Sequence, residues 1–170
     1  MSVSRIAYLD KKGIFMALRE ILTFNEDVLR KKCRAVTAFD DKLATLLDDL
    51  TETLENADGV GLAAPQVGLL RRAVVVNLHD GKGTLELVNP EILSQEGSQL
   101  GDEGCLSAPG EWARVERPMR VSVKAYDRHG KEFTVKGEGL MARALCHEID
   151  HLDGVLFIDR VKPGIPAKRG

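Results

Sequence analysis

Five consecutive residues constrain this chain more than any others: His147-Glu148-Ile149-Asp150-His151. They lie in a stretch, residues 139–152, whose apolar spacing reads as a helix. Two histidines four apart on a helix differ by about 40° of rotation, so both imidazoles leave the same face and can grip one metal ion from one side. Glu148 stands beside the first histidine, where its carboxylate can reach a metal-bound water. The fold must then supply a third ligand. The longer zinc-protease pattern is almost complete: Gly154 is in place, but Phe157 stands where a third histidine would be. No Glu or His follows His151, and Asp153 and Asp159 sit at no recognised ligand spacing. The third ligand therefore comes from upstream. Cys105, in Glu103-Gly104-Cys105-Leu106-Ser107, is the best candidate, because a thiolate and two imidazoles leave the fourth tetrahedral position open for water. His79 and His129 are weaker alternatives, since both stand next to turn residues.

The helix itself has two apolar sides. Leu140, Ala144, His147 and His151 share one; Met141, Leu145, Ile149 and Leu152 share another. Such a helix is buried, with the histidine side lining a pocket. A second helix is predicted over 41–56, where Leu43, Leu46, Leu47, Leu50 and Leu54 form one stripe behind a cap at Asp40 or Asp41. Residues 25–33 suggest a short helix. Strands are expected at 73–79, at 85–88 with Pro90 closing the second, and at 121–127 and 132–136 around a turn at His129-Gly130; a short strand is expected at 155–158. The sum is an α+β fold: antiparallel sheets packed around a buried C-proximal helix carrying HExxH, plus an N-terminal amphipathic helix. Residues 16–160 read as a single metallohydrolase domain, 1–15 as a detached extension without fixed structure, and 161–170 as a loose tail.

Composition excludes several classes. Net charge is −2, so no general attraction to nucleic acid or membrane is expected. The apolar runs are too short to span a bilayer, and the start lacks a secretory pattern. Three cysteines, Cys33, Cys105 and Cys146, argue against a disulfide framework and for a reducing compartment, so a cytoplasmic protein is expected. Cys33 and Cys146 read as packing residues.

A third stretch, Gly59-Val60-Gly61-Leu62-Ala63-Ala64-Pro65-Gln66-Val67-Gly68, would alone read as a turn between helix and strand. Taken in order with residues 103–107 and 147–151, it resembles the peptide deformylases, and the resemblance runs from about residue 16 to about residue 160. That family removes the formyl group from the N-terminal formyl-methionine of nascent bacterial and organellar proteins. The resemblance implies Cys105, His147 and His151 as metal ligands and Glu148 as general acid/base. It implies the Gln66 amide and the Leu106 backbone N–H as donors to the developing oxyanion, and Gly61 as the point where the substrate backbone is met. It also implies Fe(II) as the native ion with zinc, nickel or cobalt as substitutes, formyl-methionyl nascent peptides as partners, and transient ribosome contact. The chain departs from the family at Cys146, which stands where Gln usually precedes the first metal histidine. A residue next to His147 on a helix points about 100° away, so Cys146 is not expected to ligate. The long C-terminal helix that some members use toward the ribosome has no counterpart in this sequence.

The residues fit amide hydrolysis on physical grounds as well. That chemistry needs an activated water, a group that moves protons and donors aimed at the tetrahedral oxygen. A metallopeptidase of broader scope is disfavoured by the missing downstream ligand. A metal-binding protein without activity is disfavoured by Glu148 and Gln66, which metal binding alone does not need. Glu103 can be read as a surface charge or as a partner to the site. Arg114 and Arg117 can be read as binding substrate carboxylates or as solvating a loop, and the loop is favoured.

Overall fold

The computed structural model describes residues 5–9, 15–162 and 168–169, with side chains over residues 18–162. In chain order the elements are β1 (Arg5–Leu9), β2 (Phe15–Arg19), α1 (Asp41–Glu55), β3 (Gly61–Ala63), β4 (Ala73–Val76), β5 (Leu85–Glu96), β6 (Gln99–Cys105), β7 (Ala108–Arg117), β8 (Arg120–Tyr126), β9 (Glu132–Glu138), α2 (Leu140–Leu152) and β10 (Lys168–Arg169). Short 3₁₀ turns stand at Asp27–Arg30, Ala64–Val67 and Phe157–Arg160.

A five-stranded antiparallel sheet, ordered β3-β4-β5-β8-β9, is the frame. Its strand β4 explains why Ala73-Val74-Val75-Val76 is apolar without alternation. Side chains of a strand alternate between faces. Val74 and Val76 pack in one core with Ala142, Leu145, Ile149 and Leu152 of α2. Ala73 and Val75 pack in another with the α1 leucines 43, 46, 47, 50 and 54. Each helix thus covers one face of the sheet, and a strand covered on both faces must be apolar throughout. Helix α1 starts where Asp40 Oδ1 accepts from the backbone N–H groups of Lys42 and Leu43, each at 3.1 Å, which satisfies two donors that the helix cannot.

Helix α2 is bounded by glycines, Gly139 before it and Gly154 after it, with φ of 57° and 72°. At Gly154 the requirement is also spatial, since a Cβ there would lie 2.5 Å from the Arg30 carbonyl oxygen. A second sheet, ordered β10-β7-β6, carries the β6–β7 hairpin. Strands β1 and β2 pair separately as an antiparallel hairpin.

Several expectations are corrected. Pro90 does not close a strand: β5 runs on to Glu96, and the register breaks between Val88 and Glu91 to accommodate it. Asn89, at φ 50°, stabilises the break by accepting from Val36 N (2.8 Å) and donating to Val36 O (2.9 Å). Residues 155–158 form no strand; the chain enters the 3₁₀ turn Phe157–Arg160, where Asp159 accepts from Leu156 N at 2.8 Å. Residues 25–33 hold only the 3₁₀ turn Asp27–Arg30, and the strand expected over 73–79 ends at Val76. Of the expected extension 1–15 and tail 161–170, residues 1–4, 10–14, 163–167 and 170 lie outside the described residues. No helix among the described residues is long and apolar enough to cross a membrane.

Candidate active site

Three separate elements bring the sequence motifs together. Cys105 ends β6, just before the turn into β7. His147 and His151 lie one turn apart on the buried side of α2. Gln66 lies in the 3₁₀ turn that follows β3. The His147 and His151 Nε2 atoms are 3.1 Å apart, and Cys105 Sγ is 3.3 Å from His151 Nε2. The three potential ligand atoms all fall within 4.8 Å of one another. A tetrahedral ion with bonds of about 2.1 Å to nitrogen and about 2.3 Å to sulfur separates its ligand atoms by roughly 3.4–3.6 Å. The cluster therefore fits one ion with only small adjustments, and its soft sulfur and imidazole donors suit iron, zinc, nickel and cobalt.

Glu103 organises the surroundings of His147. Its carboxylate accepts from His147 Nδ1 at 2.6 Å, from Arg117 Nη2 and Nε at 2.6 and 3.1 Å, and from Arg143 Nη1 at 2.8 Å. A carboxylate can only accept here, so the His147 proton sits on Nδ1 and Nε2 is free to face the cluster. Burial alone would raise the Glu103 pKa, but the bonds from His147 and Arg117 hold it well below the usual carboxylate range. The reading of Arg117 as a loop cation is thus wrong: it is 5% exposed and also bonds Asp150 at 2.6 Å. Glu103 proves to be a partner of the site, and Arg143, which sequence reasoning missed, is buried beside it. In the sequence, only the position of Glu103 two residues before Cys105 hints at this.

Two adjacent imidazoles cannot both carry a charge. Burial lowers the His151 pKa well below the ordinary imidazole value, and the neighbouring His147 reinforces it. For His147, burial works the same way but is outweighed by Cys105 and Glu103. A metal ion held by both rings needs each of them neutral and bare at the nitrogen that faces it.

Glu148 is 3% exposed, and burial pushes its carboxyl up to about 7. Its Oε2 is buried without a hydrogen-bond partner among the described residues. Gly61 on β3 lies directly against it: a Cβ there would sit 2.3 Å from Glu148 Oε1. Gln66, 1% exposed, is fixed in orientation because its Oε1 accepts from Ala63 N at 2.8 Å. Its Nε2 then points at Ser107 Oγ (3.2 Å) and Cys105 Sγ (3.5 Å). Leu106 lies in the turn after Cys105, against Gly59. Gly59, Gly61, Gln66, Glu103, Cys105, Leu106, Arg143, His147 and Glu148 line one cleft of about 370 Å³.

The remaining candidates fall elsewhere. His79 borders the cleft, with Nε2 3.0 Å from Gly59 O, but is outside the ligand cluster. His129 belongs to the β8–β9 turn, held by the Asp127 carboxylate. Asp153 pairs with Arg72 and Asp159 with Arg30. Cys33 and Cys146 are core residues, and burial raises both thiols to about 11.

The sequence matches the family described as polypeptide deformylase over residues 18–165. A relative named peptide deformylase, from Caldicellulosiruptor bescii, is 58% identical over 146 residues, covering 86% of this chain and 87% of that protein. Among solved structures, the peptide deformylase of Legionella pneumophila superposes with a TM-score of 0.83 at 47% identity, covering 86% of this chain and 88% of that one. A Synechococcus elongatus peptide deformylase in complex with actinonin superposes with a TM-score of 0.81 at 40% identity, covering 85% and 79%.

Proposed function

This chain belongs to the polypeptide deformylase family, and from that we propose how its residues carry out metal-dependent removal of the N-formyl group from the formyl-methionine terminus of nascent polypeptides. The observation that carries the reading is the meeting of Cys105 Sγ, His147 Nε2 and His151 Nε2 at the wall of a cleft that Cys105, His147 and the buried Glu148, whose Oε2 has no partner among the described residues, all line. Cys105, His147 and His151 would hold the ion. When bound, the ion supplies a Lewis acid and lowers the pKa of water to near neutrality.

The protein's own groups do the rest. Strand β3 is an edge strand of its sheet, so an extended peptide can lie along it. Gly61 keeps side-chain bulk out of the space that both the peptide and Glu148 need. Gln66 Nε2 and the Leu106 backbone N–H would donate to the formyl oxygen as it gains charge. Glu148 takes the proton from the attacking water and returns it to the leaving amine. Its burial favours this double duty, because a carboxyl near neutrality can both accept and donate. Release of formate from a formyl-Met-Ala-Ser peptide, with acetylated and unblocked peptides left intact, is the expected result. Cleavage of unblocked peptides would instead support a general peptidase.

Cys105→Ala should abolish stoichiometric metal uptake, measured by elemental analysis; retention of a full equivalent would remove Cys105 from the ligand set. Gly61→Ala places a methyl group against the Glu148 carboxylate. Misplacement on the scale of an ångström costs on the order of 10²-fold in kcat, and that loss should appear without loss of metal.

We take Fe(II) as the native ion, with zinc, nickel or cobalt able to replace it. Oxygen attacks Fe(II) and the adjoining thiolate, whereas zinc has no redox chemistry. Iron-loaded enzyme should therefore lose activity in air while zinc- or nickel-loaded enzyme keeps it. Full activity of the iron form after prolonged aeration would rule iron out. We place the enzyme in the cytoplasm, in transient contact with ribosomes through their emerging chains and without direct binding to nucleic acid.

A further inference from the structure

Phe157 occupies the sequence position that would supply a third histidine in the longer HExxH pattern. The chain nevertheless returns it to the site. Phe157 is 1% exposed, and its ring stacks on the His147 imidazole with centroids 6.1 Å apart and planes 25° from parallel. Behind it lies Phe24, at 5.8 Å. The His151 ring meets His147 edge-on at 4.9 Å. His147 is thus held at Nδ1 by Glu103, from another side by His151, and across its plane by Phe157.

One hydrogen bond fixes a point on an imidazole and leaves its tilt free. A ring stacked on it restrains the tilt. The 3₁₀ turn bearing Phe157 is itself anchored, because Arg160 bonds Asp150 at 2.6 and 3.1 Å. Asp150 also accepts from Arg117, which holds Glu103. The wall and the hydrogen-bond partner of His147 are therefore tied to the same carboxylate. Phe24 links the column to the Cys105 turn, since its backbone N–H donates to Ser107 O at 3.0 Å.

We propose that Phe157, backed by Phe24, is a positioning residue that sets the plane of the His147 imidazole and thereby the geometry and affinity of the metal centre. This rests on the ligand assignment above. Phe157→Leu and Phe157→Met keep apolar volume and remove the ring face. Both should weaken cobalt retention against a competing chelator by roughly 2–10-fold, the aromatic-pair contribution expressed as a ratio. Both should alter the visible absorption of the cobalt-loaded protein, and lower kcat with KM changed by less than about twofold. Leu47→Val, in α1 on the far face of the sheet, is the control: it should lower Tm and leave cobalt affinity and spectrum unchanged. Phe157 variants with wild-type cobalt affinity and spectrum overturn the proposal, even if less stable. Should neither variant fold, Phe24→Leu decides, with a smaller change in the same direction supporting the wall and wild-type values overturning it. Wild-type protein that takes up no cobalt overturns the ligand assignment and the proposal together; normal uptake with unaffected variants overturns the proposal alone.

Discussion

Glu148→Ala should lower kcat by about 10²–10⁴-fold while the protein keeps its fold and a full equivalent of metal. The carboxylate is placed to move protons and lies outside the ligand cluster, so binding and chemistry separate cleanly in this variant. Its burial makes the effect large, because little solvent is at hand to take over the proton transfer. Metal content, thermal unfolding and formate release on one preparation are sufficient to check it. A variant that deformylates near the wild-type rate would remove Glu148 from the mechanism. Loss of metal together with activity would instead make it a ligand.

The second large effect is expected at Glu103, and it falls on stability as well as on activity. Glu103→Ala leaves Arg117 and Arg143 buried without the carboxylate that joins them, although Arg117 keeps Asp150. Breaking a buried pair in this way costs about 3–5 kcal/mol. The same change frees His147 Nδ1, and loss of such a partner weakens metal affinity by about 10–100-fold. Glu103→Gln separates the two contributions, because its amide oxygen can still accept from His147 but cannot neutralise two guanidinium groups. Chelator competition should therefore recover in the Gln variant further than denaturant midpoint does. Stability within about 0.5 kcal/mol of wild type for Glu103→Ala would show that the network carries no net stabilisation.

What could be read from the sequence follows from how local each signal is. Helix α1 announces itself by its leucine stripe and Asp40, and α2 by residues that all lie within the one helix, Leu140–Leu152. Cys105 is reached by elimination and by resemblance, not by any pattern of its own strand. The β6–β7 hairpin was missed because glycines and exposed charges interrupt its alternation: Gly101, Gly104 and Gly110 fall within it, and only Ala113, Val115 and Arg117 of β7 after the turn face inward at period two. One of those inward residues is an arginine, which no hydrophobic pattern would place in a core. Its partners Glu103 and Asp150 come from other elements, and Arg143 reaches Glu103 across 40 positions. Pro90 misled for the opposite reason, since a local rule about strand ends was overridden by a register break that Asn89 holds in place.

The long separations between paired groups have a consequence for when the enzyme comes into being. Cys105 meets His151 across 46 positions, His147 meets Glu103 across 44, and Gln66 meets Cys105 across 39. Contacts of this kind close late and slow the folding of a chain. During vectorial synthesis nothing upstream of α2 contains two of the three ligands, so a truncated or half-made chain has no intermediate version of the site. Activity should switch on in one step, only after the stretch beyond His151 has cleared the ribosomal tunnel and docked.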